Sequence, residues 1–260
     1  MKNHEIDYKL YGEEMQCVEI ELDPQEAVIA EPGSFMMMTD GIQMQTLFGD
    51  GNQSGFMSKL FSAGKRLLTG ENLFMTVYTN VSNQKRQVSF AAPYSGKIIP
   101  MDLSHLGEKI ICQKDSFLCA AKGVSVGIEF QRKLGTGLFG GEGFIMQKLE
   151  GDGMAFVHSG GHVIEKSLQP GELLKVDTGC IVAFTSEVNY DIQFVGGVKN
   201  TLFGGEGMFY ATLRGPGKVW IQTLPISRLA GRILSYGTGA RKEEGSILGG
   251  LGNLFDGDGL

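Results

Sequence analysis

Sliding the chain against itself by 64 residues superimposes one long stretch on another without a gap. Gly171-Glu172-Leu173-Leu174-Lys175-Val176 falls on Gly107-Glu108-Lys109-Ile110-Ile111-Cys112, and Ile192 and Phe194 fall on Ile128 and Phe130. Further along, Leu202-Phe203-Gly204-Gly205-Glu206-Gly207 meets Leu138-Phe139-Gly140-Gly141-Glu142-Gly143, and Leu213-Arg214-Gly215-Pro216-Gly217 meets Leu149-Glu150-Gly151-Asp152-Gly153. A further shift of 82 brings in Gln25-Glu26-Ala27-Val28-Ile29-Ala30, with Leu22-Asp23-Pro24 matching Leu168-Gln169-Pro170. One unit has been written three times, so the fold must be one that three small modules complete together.

Each copy reads as a Glu, a short apolar strand, a polar turn and a second apolar strand. Short apolar runs punctuated by Asp-Gly or Gly-Pro-Gly have strand periodicity, not helical spacing. Glycine, 39 of 260 residues, is about twice its usual share, as a succession of tight turns requires. The expectation is an all-β fold with minor helix. Three tandem β-repeats would form a sandwich or double-stranded-β-helix-like body in pseudo-threefold arrangement. Repeat one spans 1–101 with a helical insertion near 53–68, repeat two 102–166 and repeat three 167–240, followed by a Gly-rich tail at 241–260. Met208 to Thr223 is expected to be a hairpin turning at Gly215-Pro216-Gly217. Beyond Pro225, Ser227 is placed to cap a short helix through Leu229, Ile233 and Leu234.

The net charge of −6 makes nucleic acid an unfavourable partner, since such binding leans on clustered Lys and Arg. Met1-Lys2-Asn3-His4-Glu5 opens no apolar signal stretch, and no run approaches the ~20 apolar residues that span a bilayer. A cytoplasmic protein is expected, with Cys17, Cys112, Cys119 and Cys180 as reduced thiols in or beside apolar runs.

Four groupings could carry chemistry. Glu71, Glu142 and Glu206 occupy equivalent places in the three copies; converging on one axis they would suit a hard cation. The preferred reading is that each accepts hydrogen bonds from turn amides or pairs with a basic residue of the next unit. His158-Ser159-Gly160-Gly161-His162, with Glu165 nearby, has metal-ligand residue types. It lacks the His-x-His pattern of cupins, and the third copy has Gln222 where the second has His158. Gly135-Thr136-Gly137-Leu138-Phe139-Gly140 spells a nucleotide-binding fingerprint literally, but Phe144 to Leu149 follows as a strand. The helix N-terminus that the mechanism needs is therefore missing. The insertion 53–68 sets Phe56, Leu60 and Leu67 on one helical face with Lys59, Lys65 and Arg66 elsewhere. That pattern suits a cover for a sheet edge, and alternatively a peripheral membrane contact.

The triplicated Gly-Glu strand, the repeated Leu-Phe-Gly-Gly-Glu-Gly and the Gly-Pro-Gly turn before Val219-Trp220 resemble the bacterial family related to the mitochondrial biogenesis protein called "altered inheritance of mitochondria". The resemblance runs from about Ile6 to Ser235. It implies a β-rich fold similar to the trp RNA-binding attenuation protein, whose subunits form rings. With no catalytic constellation in the sequence, the expected function is a non-enzymatic scaffold or interaction protein. It would associate with copies of itself and touch a membrane peripherally, with no cofactor implied. The alternatives are a cupin-like small-molecule or metal-ion binder using the Glu set or the His158/His162 pair, and RNA or ligand binding by fold analogy.

Overall fold

In the computed structural model, residues 5–48, 74–132, 144–194 and 209–239 are described. The chain divides into two units, Met1–Pro225 and Ile226–Leu260. Among its described residues, the first unit is entirely β apart from short 3-10 turns.

An opening hairpin, β1 (Asp7–Tyr11) and β2 (Cys17–Leu22), precedes the repeats. Copy one supplies β3 (Ala27–Ala30), β4 (Phe35–Met38), β5 (Ile42–Phe48), β6 (Phe74–Asn80), β7 (Arg86–Ala91) and β8 (Gly96–Asp102). Copy two supplies β9 (Lys109–Gln113), β10 (Phe117–Ala121), β11 (Ser125–Arg132), β12 (Phe144–Glu150), β13 (Met154–Gly160) and β14 (Val163–Leu168). Copy three supplies β15 (Leu173–Asp177), β16 (Ile181–Thr185), β17 (Asn189–Phe194), β18 (Phe209–Arg214) and β19 (Gly217–Gln222). In the second unit, helix α1 (Ile226–Gly239) comes at the point in sequence where a sixth strand would complete the third copy.

The copies interlock. Sheet II has the order β5-β6-β3-β10-β13-β8, and sheet III the matching order β11-β12-β9-β16-β19-β14. Each large sheet takes the first, third and fourth strands of one copy, the second and fifth of the next, and the closing sixth of the earlier copy again. The seam is an antiparallel pairing: Ala30 faces Cys119 and Ile29 faces Ala120 in sheet II, while Cys112 faces Ala183 and Ile111 faces Phe184 in sheet III. Two smaller sheets remain, sheet I (β1-β2-β7-β4) and sheet IV (β15-β18-β17).

The sheets are stacked face to face in the order I, II, III, IV. One apolar core joins sheets I and II through Ile20, Val88 and Phe90 against Val28, Leu118 and Phe156. A second joins II and III through Ile29, Val77 and Val157 against Ile110, Val126 and Trp220. The third joins III and IV through Phe144, Phe184 and Val219 against Val176, Ile192 and Leu213. Strands of sheets II and III are covered on both faces, which is why β3, β10 and most of β16 are apolar runs while β2, covered on one face, alternates.

The repeated Glu ahead of each first strand has a local purpose. Glu26 and Glu172 fold back so that Oε2 accepts the N–H of Asp23 and of Gln169, at 2.8 and 2.7 Å. Their own N–H groups donate to the carbonyls of those same residues. The turn between them needs a positive φ, supplied by Gly171 at 80° and, in copy one, by Gln25 at 71°.

Two sequence expectations change. Met208 to Thr223 is not a hairpin: β18 pairs with β15 and β17, while β19 pairs with β14 and β16. The Gly215-Pro216-Gly217 turn carries the chain from one sheet to another. Turn chemistry fixes where a strand ends but not which partner receives its hydrogen bonds, and burial on both sides favours the crossing. The helix starts at Ile226, so Ser227 lies inside its first turn instead of capping it. No described helix is long and apolar enough to cross a membrane.

Candidate functional site

His158 is carried by β13 into the interior opposite Ile98 of β8, and is buried. Its Nε2 lies 3.0 Å from the Tyr94 carbonyl, which can only accept, so the neutral ring carries its proton there. The Tyr94 ring stands edge-on to the imidazole at 4.5 Å. Nδ1 meets no hydrogen-bond partner among the described residues. Burial disfavours the imidazolium and pushes the pKa down to about 4, against a smaller opposite pull from the Tyr94 carbonyl. At the position 64 residues on, Gln222 is buried too. Its Nε2 donates to the Gly179 carbonyl at 2.8 Å, and its Oε1 accepts the Gly160 N–H at 2.7 Å, tying sheets II and III.

His162 follows the turn at Gly161 and is exposed; its N–H donates to Thr223 Oγ1 at 2.9 Å. Glu165 accepts from Lys218 Nζ and Trp220 Nε1, both at 3.0 Å. The structure thus sends His158 inward and His162 outward. Among the described residues no group of three or more His, Cys, Asp or Glu is arranged to hold a metal ion. Glu71, Glu142 and Glu206, the Gly135–Gly140 fingerprint and the insertion 53–68 lie outside the described residues.

None of the four cysteines is in a disulfide. Burial raises the pKa of Cys112 to about 12 and that of Cys119 well above the usual range, which leaves both as inert packing groups. Sequence reasoning passed over Glu31, whose carboxyl burial pushes up to about 7, with Lys114 pulling it down and Asp115 pushing it further up.

It also passed over β4. Phe35, Met36, Met37 and Met38 are exposed by 40, 50, 49 and 40%. Their counterparts Phe117 to Ala120 and Ile181 to Phe184 are all buried. The Met-Met-Met run was the available signal, but burial in the other two copies comes from a neighbouring copy's first strand. Among the described residues no first strand of another copy lies beside β4, and the β1–β2 hairpin pairs with β7 instead.

A family model described as "Mitochondrial biogenesis AIM24" matches residues 8–224. The chain belongs to this family. The match spans the opening hairpin and all three copies. An uncharacterized protein from Streptococcus pyogenes serotype M6 is 29% identical over 221 residues, covering 84% of this chain and 86% of its own. An X-ray crystal structure of a Streptococcus pyogenes protein is similar with a TM-score of 0.70 at 23% identity, over 89% of this chain and 99% of the other. That likeness shows the fold.

Proposed function

We propose that this AIM24-family protein is a self-associating interaction protein that works as a scaffold and not as a catalyst. The observation that supports it is β4. Four consecutive large apolar side chains are each 40–50% exposed at a sheet end, where an unpaired apolar edge ordinarily invites pairing with another chain. The expected likeness to the ring-forming attenuation protein belongs to this proposal. Its RNA binding is not carried across, because the net charge of −6 opposes a phosphate-binding face. Light scattering on the purified chain over a hundredfold concentration range tests the reading. A mass that is a multiple of 28.2 kDa is expected; a monomer throughout removes the proposal.

A further inference from the structure

We infer that β4 of one copy of the chain pairs antiparallel with β15 of the next copy, in a register that the chain already uses twice. The inference rests on the self-association just proposed and names its joint.

Sheets II and III are each made by a seam between the first strand of one unit and the second strand of the following one. Sheet IV holds the third, fourth and first strands of copy three, in the order β17-β18-β15, and among the described residues it stops where the seam should be. Sheet I begins at that point: β4 and β7 are the second and fifth strands of copy one, with β2 beside β7 where β8 lies beside β13. Placed edge to edge, the two give β17-β18-β15-β4-β7-β2-β1, the order of sheets II and III with β1 added. One end of the chain carries half of a sheet and the other end carries the complementary half.

The local geometry agrees. β4 pairs with β7 as β10 pairs with β13 and β16 with β19. Each of the three pairings shifts register at the same place, between Phe35 and Met37, Phe117 and Cys119, and Ile181 and Ala183. Such a bulge bends the strand and sets which groups its other side presents. Ala30 with Cys119 and Cys112 with Ala183 then translate, by the shifts of 64 and 82, into Val176 with Met37. Lys175 follows with Met38, and Leu174 with Thr39. On the β15 half of the joint, Leu173 is 51% exposed.

Edge protection separates β4 from the other sheet ends. β8 carries Pro100 and Lys97, β14 Glu165, β11 Glu129, β17 Asp191 and β1 Asp7, devices that discourage pairing. β5 sets Gln43, Gln45 and Thr46 among its apolar residues. β4 has no charge, no proline and no polar residue. β15 carries Lys175, and an antiparallel pairing of two β15 strands centred there would set like charges opposite each other. The unlike edge is the better match. The partner must be a second copy, because sheets I and IV are the outer layers of the stack with II and III between them. Joining unlike edges is head-to-tail, so the assembly either closes into a ring or continues as a filament.

Thiol cross-linking tests the register. In a background with the half-buried thiols removed by Cys17→Ser and Cys180→Ser, Met38→Cys and Lys175→Cys are made in separate chains and mixed under mild oxidation. Directly opposed residues lie about 4.5–5.5 Å apart, within disulfide reach, whereas diagonal neighbours do not. The expected result is a disulfide-linked dimer from the mixture. That dimer should be lost with either variant alone and when Met36→Cys replaces Met38→Cys. If light scattering still shows assembly but the in-register pair gives no link, or links no better than the Met36→Cys control, the joint is wrong and self-association stands. A monomeric mass for the unmodified chain sinks both.

Discussion

Neutral His158 donates its Nε2–H to Tyr94, and nothing among the described residues receives a proton on Nδ1. Its pKa falls from 6.5 in the open chain to about 4 in the fold. Between those values the unfolded state binds the proton and the folded state does not, so this residue's contribution is complete above pH 6.5 and is lost as pH falls toward 4. Glu31 has the opposite sign. Its pKa rises from 4.5 to about 7, so the fold holds a proton that the unfolded chain releases, and stability declines as pH rises across that window. Between pH 4.5 and 6.5 the two slopes oppose each other. Replacing His158 by Gln, the residue that copy three tolerates at this position, should recover up to about 3 kcal/mol of the acid loss. Glu31→Gln should stabilise the protein above about pH 7 by about 1–3 kcal/mol. Urea midpoints taken across the acid-to-neutral range check both, and parallel profiles for the wild type and the two variants would refute them. A third expectation concerns Gly160, where a Cβ would run into the Leu224 carbonyl oxygen and stand 2.8 Å from the Tyr94 ring. Gly160→Ala should cost about 3 kcal/mol by overpacking against rigid backbone, read from the same midpoints. The equivalence of His158 and Gln222 was legible from the 64-residue shift. Their shared burial was not, since His158 ahead of the Gly160-Gly161 pair reads more readily as a polar turn residue.

At the scale of elements, the strand-by-strand reading survives because short apolar runs and glycine turns have direct local causes. Partner choice does not have a local cause. The Gly215-Pro216-Gly217 turn reads as a hairpin connection, yet β18 and β19 go to different sheets. The turn satisfies its own backbone either way, and the decision is made by which apolar faces are covered. The same reason hid β4: in sequence, Phe35 to Met38 matches Phe117 to Ala120, and what sets them apart is that no described first strand of another copy pairs with β4. Charge placed on this edge should therefore act on association and not on folding. Met37→Lys is expected to weaken self-association about tenfold or more, with an unchanged thermal midpoint when both proteins are compared dilute enough to be unassembled, because the side chain is already exposed. Sedimentation velocity and calorimetry separate the two effects; a lowered midpoint with unaltered association would show that β4 is a structural strand instead.

For the molecule as a whole, the repeat predicted three like modules, and the structure adds that each large sheet is shared between two of them. Each seam is completed by the next copy, so the chain's two ends are left with complementary halves. The metal-ligand types at His158 and His162 were readable from sequence, but their opposite orientations depend on where β13 ends and the Gly161 turn begins. Hydrogen exchange on the intact protein at high and low concentration tests most directly whether the two halves meet. The amides of Phe35–Met38 and Leu173–Asp177 that are not already bonded to β7 or β18 should be protected together in the assembled protein and lose that protection together on dilution, while β3, β10, β9 and β16 stay protected. Rapid exchange in both end strands at every concentration, or protection of one without the other, would contradict the account.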